Sequence, residues 1–119
     1  MNELITNKTI FEDIKHMDEF GNEYWEAREL MKALEYKRWD KFNNVIDNAK
    51  IACENSNNQT NDHFSQLGKM VQIGSKTSRE ITDYKLSRYA CYLIVQNADP
   101  KKETVALGQT YFAIQTRKQ

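Results

Sequence analysis

Apolar residues recur at helical spacing in four stretches of the chain, and two short apolar clusters flank a polar turn. The clearest stretch is Asp83 to Pro100. There Leu86, Tyr89, Ala90, Leu93, Ile94 and Asn97 fall at i, i+3, i+4, i+7, i+8 and i+11, the stripe of a helix packed on a core. Ser87 is a natural N-cap near its start, Asn97 ends it, Asp99 caps the next helix, and Pro100 takes a first helical position where its missing donor costs nothing. The last helix presents Thr104, Leu107, Tyr111 and Ile114, with Val105, Gly108 and Phe112 beside them. Gly108 inside a helix costs about 1 kcal/mol relative to alanine, which close approach of another helix would offset. Ala27, Leu30, Met31 and Leu34 mark an earlier helix face. Tyr36-Lys37 separates it from a helix through Trp39, Phe42, Val45, Ile46 and Ala49. So short a connection resembles a helix-turn-helix, with Lys37, Arg38 and Lys41 at the end that such motifs direct toward DNA.

The rest of the pattern is shorter. Thr9 to Met17 reads as a short amphipathic helix around Phe11 and Ile14, Asp18 to Asn22 as a turn, and Glu23-Tyr24-Trp25 as a strand forming a small hairpin edge. Cys53 to Asp62 has almost nothing to bury and reads as a mobile loop, and His63 to Lys69 as one or two helical turns. Met70, Val71 and Ile73, then the polar Gly74 to Ser78, then Ile81 and Tyr84, predict a hairpin with a basic tip. Lys76 and Arg79 stand where a wing would reach phosphates. The fold expected is α+β: a small, helix-rich single domain over 1–119, with a short antiparallel hairpin or sheet and a helix-turn-helix-like pair.

Charge sharpens this picture. Seventeen basic residues balance seventeen acidic ones, which alone argues against a uniformly basic nucleic-acid binder. The distribution is polar, however: Met1 to Glu35 carries four Lys/Arg against nine Asp/Glu, a net of −5, leaving +5 for the rest. Tyr36 to Lys50 contributes +2 and Gly68 to Cys91 +3. Phosphates need cations and unpaired bases need flat faces. Lys37, Arg38, Lys41, Lys76, Arg79, Lys85 and Arg88 are therefore the candidate phosphate contacts, and Tyr36, Tyr84 and Tyr92 the candidate exposed aromatics. Trp25, Trp39 and Tyr89 are assigned to the core.

Catalytic chemistry finds little footing. His16 and His63 are the two histidines, neither within a recurring mechanistic pattern, and no nucleophile elbow or phosphate loop is present. Cys53 and Cys91 lack metal-ligand spacing, and the acidic residues between Glu12 and Glu29 read as a solvated face rather than a cation site. No enzyme activity, cofactor or metal is expected. The absence of an apolar run of membrane length predicts a soluble, cytoplasmic protein with no membrane partner. The last helix runs to Gln119 without a stop signal, which predicts a fragment of a longer protein, and its broad apolar face would suit a homodimer.

The motifs Tyr24-Trp25-Glu26-Ala27-Arg28-Glu29-Leu30, Tyr36-Lys37-Arg38-Trp39 and Arg88-Tyr89-Ala90-Cys91-Tyr92-Leu93-Ile94, with the closing run QTYFAIQTRKQ, resemble the DNA-damage-inducible protein D family, whose N-terminal part is a BRO-type domain. The resemblance covers nearly the whole chain. Glu35 and Ala98 stand where that family usually has glycine, and Gly108 where it usually has alanine. It implies a bacterial DNA-binding or regulatory module of an SOS-type DNA-damage response. The alternative is a protein-interaction module whose acidic N-terminal face docks on a recombinase filament or another DNA-bound protein.

Overall fold

The computed structural model describes residues 10–117, with the side chains of 10–113. Thr9 and Lys118, and the side chains of Ile114 and Arg117, lie outside the described residues. A helical turn over 10–13 is followed by β1 (His16–Met17), β2 (Glu23–Glu26), α1 (Ala27–Ala33) and α2 (Trp39–Asn55). Then come α3 (Thr60–His63), β3 (Phe64–Ile73), β4 (Thr77–Leu86), α4 (Arg88–Asn97) and α5 (Glu103–Arg117). The strands form an antiparallel sheet in the order β1-β2-β4-β3, so the fold is α+β.

Most expected helix positions are buried, but α4 also buries Cys91 and Val95 while Asn97 is exposed, and α5 turns Val105, Gly108 and Phe112 inward with Thr104 and Leu107 only half-buried. Ala27, Leu30, Met31 and Leu34 are buried from α1. Phe42, Val45, Ile46, Ala49 and Cys53 are buried from α2, and Ala90, Leu93 and Ile94 from α4. Trp25 anchors the cluster: its indole donates to the Phe11 carbonyl at 2.9 Å and its ring meets Phe112 edge to face at 5.3 Å. Gly108 marks the close helix approach anticipated for it, since a Cβ there would lie 3.0 Å from Val95 Cγ1 on α4 and 3.1 Å from Phe11 Cζ.

Several local expectations are corrected. Residues from Phe64 onward are strand rather than helix. β3 and β4 pair in unbroken register from Phe64↔Leu86 to Ile73↔Thr77, which makes the hairpin longer than the apolar clusters suggested. Leu86 closes β4 instead of opening α4. Ser87 does cap that helix, its hydroxyl accepting from Ala90 N at 3.0 Å. Cys53 is buried on α2, which runs on to Asn55 into the expected Cys53–Asp62 loop, whose last residues Thr60 to Asp62 begin α3. Asp99 and Pro100 shape a turn rather than a cap, with Asp99 accepting from Lys101 N and Lys102 N at 3.0 and 3.1 Å. Trp39 and Tyr89 are half-buried against the core rather than within it.

Charged groups are as important as apolar ones to the packing. Asp83, fully buried in β4, accepts from Arg28 N at 3.0 Å and so satisfies the first turn of α1, whose own N-cap residue Glu26 makes no side-chain cap bond. Lys69 bridges the same region, 2.6 Å from Glu26 and 3.0 Å from Asp83. Arg88 is only 6% exposed. Its Nε and Nη2 donate to the two oxygens of Glu23 at 2.6 and 2.8 Å, and its guanidinium lies 5.0 Å from the Trp25 ring and 5.3 Å from that of Tyr111.

Tyr111 in turn donates to Glu12, tying α5 to the start of the described chain. That bond holds the Glu12 carboxyl below its ordinary 4.5, with Lys15 adding to the effect. Burial, then Glu12, push the Tyr111 phenol well above its ordinary 10.0. The lowered carboxyl contributes stability above pH 4.5 that disappears as pH falls through its folded value. The raised phenol contributes stability below pH 10.0 that disappears as pH rises further. The expected result is a melting temperature that falls at both edges. Tyr111→Phe should be less stable at neutral pH but lose less than wild type above pH ~10 when both are followed by circular dichroism.

Candidate nucleic-acid interface

The end of α1 shapes a basic surface. Leu34 is the C-cap, and Glu35 N donates to Lys32 O and Tyr36 N to Met31 O, both at 3.0 Å, the paired bonds of a Schellman close. This geometry puts Glu35 at φ +64°, a left-handed conformation that strains any residue with a Cβ. It explains on physical grounds why glycine suits this position. Glu35→Gly should therefore raise stability by about 1 kcal/mol, readable as a higher urea midpoint with unchanged slope. Ala98, at φ −89°, makes no such demand for glycine.

The chain then turns outward through Tyr36, Lys37 and Arg38 into α2. Tyr36 is half-buried, its ring 5.2 Å from Phe42 and its hydroxyl accepting from Asp99 N at 2.9 Å. That bond brings the α4–α5 corner alongside, so Lys102 lies 5.1 Å from the Tyr36 ring and donates to Glu35 O at 3.2 Å. Glu35, Tyr36, Lys37, Arg38, Lys41 and Lys102 line a cleft of about 360 Å³. Lys32 joins Tyr36, Lys37 and Lys102 around an adjoining hollow. Lys37 and Lys41 are exposed and, among the described residues, neither they nor Lys102 forms an ion pair. Arg38 is paired with Asp40 at 2.9 Å, but both are well exposed and such a pair opens at little cost.

Trp39 connects this cleft to the hairpin. It stacks on Tyr84 of β4 at 6.5 Å, with the Arg28 guanidinium 4.0 Å over its ring. Arg79 lies five residues before Tyr84, about 17 Å along the strand at the usual rise per residue. Lys76 and Arg79 are exposed near the hairpin tip, whose turn uses Gly74 at φ +81°, and neither pairs with a carboxylate among the described residues. Five residues is an odd number, so Arg79 points to the opposite face of β4 from Tyr84 and Trp39, and the structure does not bring Lys76 and Arg79 into the cleft.

Other expected contacts are differently employed. Arg88, expected at the surface, is buried and committed to Glu23, and Tyr84, expected to be exposed, is buried with its hydroxyl accepting from Lys50 at 3.1 Å. Lys85 is half-buried with its ammonium 4.4 Å over the Tyr24 ring, and Tyr92 is half-buried against Tyr89. Lys32 and Lys102 were not anticipated. Lys102 could be found only by knowing that Asp99 meets Tyr36, a contact 63 residues apart.

Four of the eight described acidic residues up to Glu35 are paired within the protein, while Asp13, Asp18, Glu19 and Glu35 form no ion pair among the described residues. Glu12 meets Lys15 and Tyr111, Glu23 meets Arg88, Glu26 meets Lys69, and Glu29 meets His16 at 2.6 Å. His16, Glu26 and Glu29 offer three ligand atoms within 4.8 Å of one another, but Glu26 is held by Lys69, and His16 and Glu29 hold each other. His63 Nδ1 lies 2.6 Å from the Ser87 hydroxyl, which is already engaged in capping α4.

This fold and its basic cleft can be set against known proteins. The model of the BRO family, N-terminal domain, matches residues 13–113. The chain belongs to that family. The chain is also 53% identical, over 109 residues, to DNA damage-inducible protein D of Escherichia coli (strain K12). The match takes in 92% of this chain and 40% of that relative, so the chain spans well under half of the relative's length. No solved structure matches it. Among the described residues, no helix of the BRO domain is long and apolar enough to cross a membrane.

Proposed function

We propose that this BRO N-terminal domain is a non-enzymatic, DNA-contacting regulatory module of a DNA-damage response. The kinship with a damage-inducible protein supports the setting. The observation that carries the contact is the cleft around Tyr36, lined by Lys37, Arg38, Lys41 and Lys102 against one acidic residue, Glu35, with no ion pair to Lys37, Lys41 or Lys102 among the described residues. Phosphate binding is the chemistry that the exposed Lys37 and Lys41 suit, with Lys102 beside them held by Glu35 O and the Tyr36 ring, because each cation that meets a phosphate releases condensed counterions. Arg38 can join it by leaving Asp40, whereas Lys76 and Arg79 near the hairpin tip would be a separate contact.

The acidic-face alternative, docking on a recombinase filament or other DNA-bound protein, gains less support. Four of the carboxylates it would present, Glu12, Glu23, Glu26 and Glu29, already have internal partners. The half-buried Tyr36 and Tyr92 offer edges more than open faces, which favours backbone contact over base stacking. Fluorescence anisotropy with labelled single- and double-stranded oligonucleotides at ~50 and ~200 mM salt tests this reading. Binding to duplex that weakens steeply between the two conditions is expected. No binding at the lower salt would overturn direct contact, and a marked single-strand preference would return the aromatics to the centre.

A further inference from the structure

We propose that the free edge of β3 is a self-association surface, along which two copies of this chain pair antiparallel about Met70. Among the described residues sheet order makes β3 an edge strand, and at ten residues it is long for one. Edge strands are normally guarded by proline, bulges or outward charge. β3 has no proline, keeps unbroken register with β4, and carries one charged residue, Lys69, which Glu26 and Asp83 hold. Met70 is 62% exposed and Ile73 45%, so apolar side chains stand on both faces of this edge.

Self-complementarity points to a second copy as the occupant. In a two-fold antiparallel pair, directly opposed residues point to the same face, so a residue must lie at the centre. Centring on Met70 sets the two Met70 side chains opposite each other, and it sets Leu67 opposite Ile73, Gly68 opposite Gln72 and Lys69 opposite Val71 of the other copy. Centring on Lys69 would oppose two ammonium groups, which is destabilising. Centring on Gly68 would oppose two glycines and set Met70 against Gln66. The Met70 register alone of these three opposes Met70 to Met70 and Leu67 to Ile73 while keeping the lysines apart, with Val71 against the aliphatic stem of Lys69. The formal net charge of zero leaves no overall repulsion between copies.

Two measurements on the 119-residue chain test this. In light scattering after size exclusion, the mass should rise from 14.0 kDa toward twice that value with concentration, and Met70→Lys/Ile73→Lys should stay monomeric with an unchanged melting temperature. Under mild oxidation Met70→Cys should form a disulfide dimer, because opposed residues of an antiparallel pair lie ~4.5–5.5 Å apart. Gln72→Cys should not, its counterpart lying four residues away along the strand, at ~13 Å. Cys53 and Cys91 are buried and do not compete. A wild-type chain that stays at 14.0 kDa throughout, a double-lysine variant that still associates, or equal cross-linking of the two cysteine variants would overturn the proposal.

Discussion

Arg88→Glu is expected to leave the domain largely unfolded. Arg88 is almost wholly buried and makes two hydrogen bonds to Glu23 beneath the rings of Trp25 and Tyr111. Removing one member of a buried ion pair typically costs ~3–5 kcal/mol, much of it from the charge left behind. Glu23 is a quarter exposed, at 26%, so water softens that term. The substitution, however, adds a second carboxylate in the same place, and the loss should be at least ~3 kcal/mol of a stability that is rarely above ~15. Urea denaturation followed by circular dichroism would show it. Arg88→Met, which retains the apolar stem, should lose less. An Arg88→Glu protein with wild-type stability would mean that the pair contributes nothing to the fold. The result also governs how binding data are interpreted: lost DNA binding in this variant reports lost structure.

Lys37→Glu combined with Lys41→Glu should do the opposite, sparing the fold and removing binding. Both side chains are exposed and, among the described residues, unpaired, so the stability change should stay within ~0.5 kcal/mol. Each lost phosphate contact removes about one unit of salt dependence, and reversal adds repulsion. Duplex affinity should therefore fall by roughly tenfold or more at ~50 mM salt. Anisotropy titration beside a melting curve separates the effects. A variant that melts normally and binds as wild type would locate the contact elsewhere.

How much of this was legible in the sequence depended on the range of the interaction responsible. Helix faces are local: the spacing of Ala27, Leu30, Met31 and Leu34, and of Phe42, Val45, Ile46 and Ala49, was sufficient, and Cys53, four residues on, would have extended α2 correctly. The hairpin could be placed but not measured. In β3 Leu67, Lys69 and Val71 are half-buried on one face and Gln66, Gly68, Met70 and Gln72 are exposed on the other, so a lysine on the inner face and a methionine on the outer one break the alternation by which strands are usually recognised. Charge was the least legible. The polarity between an acidic N-terminal third and a basic remainder looked like a surface property, yet Glu23 and Arg88, 65 residues apart, meet in the interior, and Glu26 and Lys69 meet 43 apart. Those pairings removed Arg88 from the candidate interface. The contact between Asp99 and Tyr36 brought Lys102 into it.

The most direct test is the slope of log K against log salt for duplex DNA, measured for wild type and for the Lys37→Glu/Lys41→Glu/Lys102→Glu protein after both are shown to melt alike. The cleft around Tyr36 predicts a steep wild-type slope and one shallower by about 3 in the triple variant. Equal slopes would contradict it and place the phosphate contacts, if any, outside this cleft.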